Sequence, residues 1–133
     1  MKFDILSLFP QALSAYYDAS ILGRAQKKGI ISIANHDIRG WAIDKHRRVD
    51  DTPYGGGSGM VIRVDVVHRS LKALCRRKNK KTHIILLTPR GKTFDQRAAQ
   101  RLVKYERIIL IAGRYEAIDA RIDRYVDEKI SLG

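Results

Sequence analysis

The sequence predicts an α/β domain built on a parallel sheet with helices on both faces. Two nearly continuous apolar runs, His83-Ile84-Ile85-Leu86-Leu87 and Arg107 to Ala112, have the pattern of strands covered on both sides rather than on one. Runs of this kind alternate along the chain with helical patterns, which is the signature of strand–helix–strand units. At 133 residues, 44% of them hydrophobic, the chain is long enough to bury one real core.

Taken in order, Lys2 to Leu8 reads as a first strand closed by Phe9-Pro10. Helical signal follows from Gln11 to Tyr17 and from Ser20 to Lys28, with Ser20 as N-cap and Gly29 as the C-terminal stop. Ile30 to Asn35 is β-branched and predicts a second strand. Residues 36 to 58 carry many charges and little periodicity, the mark of a long loop, and connections of that length are mostly functional or disordered. Val61 to Arg63 predicts a short strand, and Asp65 the cap of a helix running to about Lys78. Its apolar stripe is Val66, Val67, Ser70, Leu71 and Leu74. Thr82 to Thr88 is the first of the continuous strands and ends in the turn Thr88-Pro89-Arg90-Gly91. Asp95 opens a helix to about Lys104, and Arg107 to Ala112 ends in Gly113-Arg114-Tyr115-Glu116. A helix near Ile118 to Tyr125 and a strand over Glu128 to Leu132 complete the pattern. In such sheets ligands bind beyond the carboxyl ends of the strands, so the two glycine-bearing turns fall on the ligand edge.

Residues 50 to 60, Asp-Asp-Thr-Pro-Tyr-Gly-Gly-Gly-Ser-Gly-Met, hold four of the ten glycines. Glycine loses more conformational entropy on folding than any other residue, so a cluster weakens a fold unless something needs bare backbone. Pro53 and Tyr54 stiffen one side and Met60-Val61-Ile62 opens an apolar run on the other, which marks a shaped loop rather than a linker. It is not a phosphate loop: the Gly-Lys-Ser/Thr ending is missing and the order is loop then strand. The dinucleotide fingerprint fails for the same reason. His36, His46, His68 and His83 share no metal-ligand spacing with Cys75, and no Gly-x-Ser-x-Gly elbow exists for acyl transfer. Cys75, the lone cysteine, falls in an apolar helical pattern and reads as a small core hydrophobe in a reducing compartment. No apolar run approaches the roughly 18 residues that cross a bilayer, and Asp4 and Pro10 interrupt any signal-peptide layout.

The formal net charge is +12, and its distribution matters more than its size. From Arg69 to Arg107 thirteen Lys and Arg face two acids, Asp95 and Glu106, a net of +11 that leaves +1 for all other residues. A field concentrated in this way attracts polyanions through counterion release. The basic residues are not interleaved with Trp or Phe, as a membrane-surface segment would require, so nucleic acid is the expected partner.

Asp44-Lys45-His46, Val49-Asp50-Asp51, Pro53-Tyr54-Gly55-Gly56-Gly57 and Gly59-Met60 together resemble the signature of the bacterial tRNA (guanine-N1)-methyltransferase (TrmD) family. Ser7-Leu8-Phe9-Pro10, Gly23-Arg24-Ala25 and Gly113-Arg114-Tyr115-Glu116 with Ile118-Asp119 extend the likeness in the family's order over all 133 residues. The resemblance implies a SPOUT-class α/β fold with a trefoil knot, S-adenosylmethionine as methyl donor, a cytoplasmic homodimer with its site at the subunit interface, and methylation of N1 of guanosine at tRNA position 37. It implies cofactor contacts at Thr88, Pro89, Gly91, Gly113, Arg114, Tyr115 and Glu116. It implies contacts to the target nucleotide or its surroundings at Arg24, Lys45, His46, Asp50, Tyr54, Gly55, Gly56, Gly57 and Gly59. Ala117 and Ser58 depart from the family's usual glycine and proline. Family members continue past the position of Gly133 into the loop that completes the knot and a helical tRNA-binding domain carrying the aspartate general base. On that basis residues 1–133 are expected to be one cofactor-binding domain, with no catalytic base of their own and little activity alone. A non-catalytic RNA-binding module and a SPOUT methyltransferase with another RNA target are the alternatives.

Overall fold

A computed structural model describes residues 1–42, 50–51, 61–112 and 120–133. β1 (Lys2–Ser7) leads into α1 (Pro10–Tyr17) and α2 (Ser20–Lys27), and β2 (Ser32–Asp37) into a 3-10 turn, Ile38–Trp41. Two short strands, β3 (Asp50–Asp51) and β4 (Val61–Ile62), pair antiparallel with Asp51 opposite Val61. α3 (Val64–Leu74), β5 (Thr82–Thr93), α4 (Gln96–Leu102), β6 (Arg107–Ala112), a second 3-10 turn, Ala120–Tyr125, and β7 (Glu128–Ser131) follow. Five strands form one sheet in the order β2-β1-β6-β5-β7, and every neighbouring pair is parallel.

The continuous apolar runs bury both faces, as their composition requires. On one face Leu6, Ile84, Leu86, Ile109 and Ile111 pack against Val66, Val67 and Leu71 of α3, Ile38 of the first 3-10 turn and Ile122 of the second. The alternate residues Ile85, Ile108 and Ile130 form a second cluster with Leu102 of α4. Each fully buried Leu or Ile side chain contributes about 1.5–3 kcal/mol. α4 covers only a strip of this second face. Beside it lies an apolar groove of about 370 Å³ whose walls include Phe3, Leu87, Phe94, Val103, Leu110 and Leu132.

One buried carboxylate joins three strands. Asp4 of β1 is 1% exposed. Nε2 of His36 on β2 lies 2.9 Å from its Oδ1, and Nε of Arg107 on β6 donates to its Oδ2 at 2.8 Å. The registers place His36 opposite Leu6 and Arg107 opposite Lys2, so both side chains reach two positions along the strand to meet Asp4. Burial pushes this carboxyl up, but the hydrogen bonds from His36 and Arg107 and the charge of Arg107 outweigh it, and the group titrates below the ordinary Asp range.

Several elements differ from the sequence reading. β2 begins at Ser32 rather than Ile30, because the N–H groups of Ile30 and Ile31 are committed to Ala25 O at the end of α2. Gly29 does stop that helix, at φ +74°. Ser20 is not the N-cap: Ala19 holds that position, and Ser20 is the first helical residue with φ +56°. α3 ends at Leu74, four residues early. Cys75 leaves helical geometry while packing partly buried on the core, and Lys78 pairs instead with Asp127 ahead of β7. The long loop from 36 contains the Ile38–Trp41 turn, whose Ile38 is wholly buried, and β3. The helix expected near 118–125 is a 3-10 turn where it is described.

The Asp4 site makes a pH-dependent prediction. A carboxylate with a depressed folded-state pKa stabilises above its unfolded value of about 3.9, and that stability is lost as pH falls through the folded value. Asp4→Asn should therefore cost about 3 kcal/mol at pH 7, as for a broken buried pair. Urea unfolding at pH 7 and pH 3 checks it: the gap between wild type and variant should shrink at pH 3, and a constant gap would contradict the assignment.

Candidate functional site

Because all five strands are parallel, their carboxyl ends share one edge, where ligands of such sheets bind. Thr88, Pro89 and Gly91 belong there, but not as the turn expected after a strand. β5 stays extended to Thr93, and Leu87 and Lys92 both face Ile130 of β7, so residues 88–91 bulge out of the ladder. Pro89 has no N–H with which to continue a ladder. Gly91 has a packing reason of its own. A Cβ there would lie 2.5 Å from Ile130 N and 2.6 Å from the Lys129 carbonyl carbon, so only glycine lets β7 lie against the bulge. Within the bulge Arg90 N donates to Thr88 Oγ1 at 3.3 Å, and beyond it Phe94 N rejoins Ser131 O at 2.8 Å. Thr88 is half-buried, and Pro89 and Arg90 are exposed.

The same edge carries polar groups that the sequence reading did not single out. After β1 the chain turns through Leu8-Phe9-Pro10, pinned from β2 and the turn behind it. Asn35 Nδ2 donates to Pro10 O at 2.5 Å, and Arg39 Nη1 to Leu8 O at 2.9 Å, with the guanidinium 5.9 Å from the Phe9 ring centre. Asp37 Oδ1 accepts from Arg39 N at 2.9 Å and so orders the turn carrying that arginine. The signal for Asn35 was an amide ending a β-branched run, and for Arg39 the Asp-x-Arg spacing of a side-chain-capped turn. Ser7 ends β1 opposite Ala112, the last residue of β6. Its hydroxyl is buried and has no hydrogen-bond partner among the described residues.

Arg24 lies exposed on α2, next to Gly23, where a Cβ would come 2.4 Å from Asp18 O. α2 packs with α1, which sits against β2, whereas residues 88–91 belong to β5, three strands away. Within one chain the fold therefore does not bring Arg24 to the bulge. Asp50 lies in β3, which with β4 ties together the two ends of the glycine-rich segment. Lys45, His46, Tyr54, Gly55, Gly56, Gly57 and Gly59 lie outside the described residues, as do Gly113, Arg114, Tyr115 and Glu116. Among the described residues no cluster of His, Cys, Asp and Glu could hold a metal ion, and no helix is long and apolar enough to cross a membrane.

A parallel sheet with helices on both faces and a glycine-bearing bulge at its carboxyl edge defines an α/β protein. Comparison with known proteins is more specific. The model of the tRNA (Guanine-1)-methyltransferase TrmD family matches residues 1–133, and the chain belongs to that family. It is 49% identical over 133 residues to the tRNA (guanine-N(1)-)-methyltransferase of Clostridium novyi, covering all of this chain and 54% of that protein. The protein of the same name from Citrifermentans bemidjiense is 46% identical over 134 residues, with 53% of it covered. That of Deinococcus radiodurans is 42% identical over 133 residues, with 48% covered. The chain thus spans about half the length of the curated relatives it matches.

Gly91 and Gly40 give a paired test of the bulge. Gly91→Ala should cost about 1–3 kcal/mol by overpacking against β7. Gly40→Ala, whose Cβ meets nothing within 4 Å, should be close to neutral. Denaturant midpoints decide, and equal small effects would contradict the bulge geometry.

Proposed function

We propose that this chain is the S-adenosylmethionine-binding domain of a homodimeric tRNA methyltransferase that methylates N1 of guanosine at position 37, in the cytoplasm. The observation that carries the reading is the family match over residues 1–133, together with identities of 42–49% to proteins named for the guanine-N1 reaction. The SPOUT knot, the single cofactor domain and the dimer follow from the family reading and are part of the proposal.

The carboxyl edge suits the cofactor in chemical kind. Residues 88–91 stand out of the β5–β7 ladder and leave backbone groups free to read the edge of an adenine. The buried Ser7 hydroxyl, without a partner among the described residues, adds a polar group at the same edge. When bound, S-adenosylmethionine supplies an electrophilic methyl on a sulfonium. In this reading Gly113, Arg114 and Tyr115 line the cofactor, and the carboxylate of Glu116 favours its positive charges. Arg24, Lys45, His46, Asp50, Tyr54 and the glycines 55, 56, 57 and 59 surround the guanine from across the dimer interface, which accommodates the distance of Arg24 from the bulge in one chain. Replacing N1–H by N1–CH3 releases a proton, so a base must act. We assign no catalytic base within residues 1–133.

Calorimetry tests the cofactor half of the proposal. S-adenosylmethionine should bind with a micromolar dissociation constant, and Glu116→Gln should weaken it roughly tenfold, the loss of one charge-assisted interaction worth about 1.4 kcal/mol. Absence of binding would overturn the methyltransferase reading. In a single-turnover assay, residues 1–133 alone should transfer little methyl to a transcript with guanosine at position 37, and normal rates would contradict the absence of a base within them.

A further inference from the structure

The parallel sheet has a second edge, where all five strands begin, and its chemistry is opposite in kind to that of the ligand edge. Lys27 and Lys28 close α2 ahead of β2. Lys2 opens β1, Lys104 precedes β6, and Arg124 precedes β7. Arg76, Arg77, Lys78, Lys80 and Lys81 fill the connection into β5. All ten are exposed. In sheet order the cations run from β2 through β1, β6 and β5 to β7, a band about 20 Å wide at about 4.8 Å per strand.

The acids of this edge are already engaged within the chain. Glu106 pairs with Lys81 at 3.1 Å, Asp127 with Lys78, and Asp123 with Lys129 at 3.1 Å. Glu128 is held by Arg101 and His83. Asp4 is buried between His36 and Arg107. Lys104 lies 5.2 Å from the ring centre of Tyr105. Among the described residues Arg76, Arg77, Lys80, Lys27, Lys28 and Arg124 have no acidic partner within salt-bridge distance. A surface kept only for solubility balances both signs, whereas here cations outnumber the acids and the acids are paired within the chain, so the net field is positive. Tyr105 at this edge is half-buried and stacked on His83 with centroids 4.2 Å apart, so it does not stand out as an aromatic anchor for a lipid interface.

We infer that this amino-terminal edge of the sheet is a docking surface for RNA backbone, separate from the methyl-transfer edge. Strands of six residues at about 3.3 Å per residue set the two edges about 20 Å apart. The band therefore holds phosphates remote from the methylated base, or those of a second stretch of the same RNA. This location of the RNA rests on the proposed tRNA substrate, but the electrostatic claim does not need a methyl donor. Phosphate contacts position an RNA without reading its sequence.

The test is binding of a labelled tRNA transcript as a function of salt, with Arg76→Ala, Arg77→Ala and Lys80→Ala combined. These side chains are exposed and unpaired, so their loss leaves the core intact. At 0.1 M salt the triple variant should bind about tenfold or more weakly. The slope of log K against log salt should fall by about 2, as three phosphate contacts require. The loss should be the same for a transcript with adenosine at position 37. The charge-keeping variant Arg76→Lys/Arg77→Lys should retain wild-type binding and slope. Wild-type affinity and slope in the triple variant, or a loss confined to the guanosine transcript, would overturn the proposal. S-adenosylmethionine binding measured on the same samples separates the two claims. Cofactor binding with patch-independent RNA affinity sinks only the docking surface. Patch-dependent RNA affinity without cofactor binding supports the docking surface and sinks the methyltransferase reading.

Discussion

Every strand of the main sheet runs in the same direction, and the rest of the structure follows from that constraint. Parallel strands cannot be joined by tight hairpins, so each connection must cross a face, and the crossings supply the covering layers. That is why Ile84 and Leu86 meet α3 while Ile85 faces the α4 side. The same constraint gathers all carboxyl ends on one edge and all starts on the other. Asp4 secures the arrangement in its centre, since its carboxylate holds β2 and β6 to β1 through side chains as well as through the ladder. Such a buried charge is tolerated because both oxygens are engaged.

The two edges divide the chemistry. At the carboxyl edge, backbone is exposed by the 88–91 bulge, the β1 turn is pinned by Asn35 and Arg39, and the buried Ser7 hydroxyl has no partner among the described residues. These features suit a small polar ligand held by shape and directed hydrogen bonds. At the starting edge, long flexible cations outnumber the acids, and Arg76, Arg77 and Lys80 have no acidic partner among the described residues, which suits a polymer recognised by charge. The proposed methyl donor and RNA call for these two kinds of surface, and the direction of the strands keeps them apart.

Much of the fold was legible because it depends on local pattern. The continuous runs at Ile84–Leu87 and Ile108–Ile111 could only be doubly covered strands, Gly29 stops its helix in the left-handed region, and Asp95 caps α4 through Ala98 N. What was not legible depends on partners distant in sequence. Thr88 to Gly91 looked like a turn because Pro and Gly usually make one, and only the register of β7 turns it into a bulge. The packing of Gly91 against Ile130 could not be foreseen from its neighbours in sequence. Asn35 and Arg39 act through carbonyls of a segment 25 and 31 residues away, so local pattern can mark a turn at these residues but not the segment they pin. The charge count found the basic segment, but the sheet topology was needed to add Lys2, Lys27, Lys28 and Arg124 to it.

The division between edges is tested most directly by amide chemical shifts of the labelled protein, titrated separately with S-adenosylmethionine and with a tRNA anticodon stem-loop. Cofactor should move the amides of Thr88, Arg90 and Gly91 and of Ala112, and leave Arg76 to Lys81 and Lys104 unchanged. RNA should move Arg76 to Lys81 and Lys104. Shifts from the RNA confined to the carboxyl edge, with residues 76–81 silent, would contradict the account.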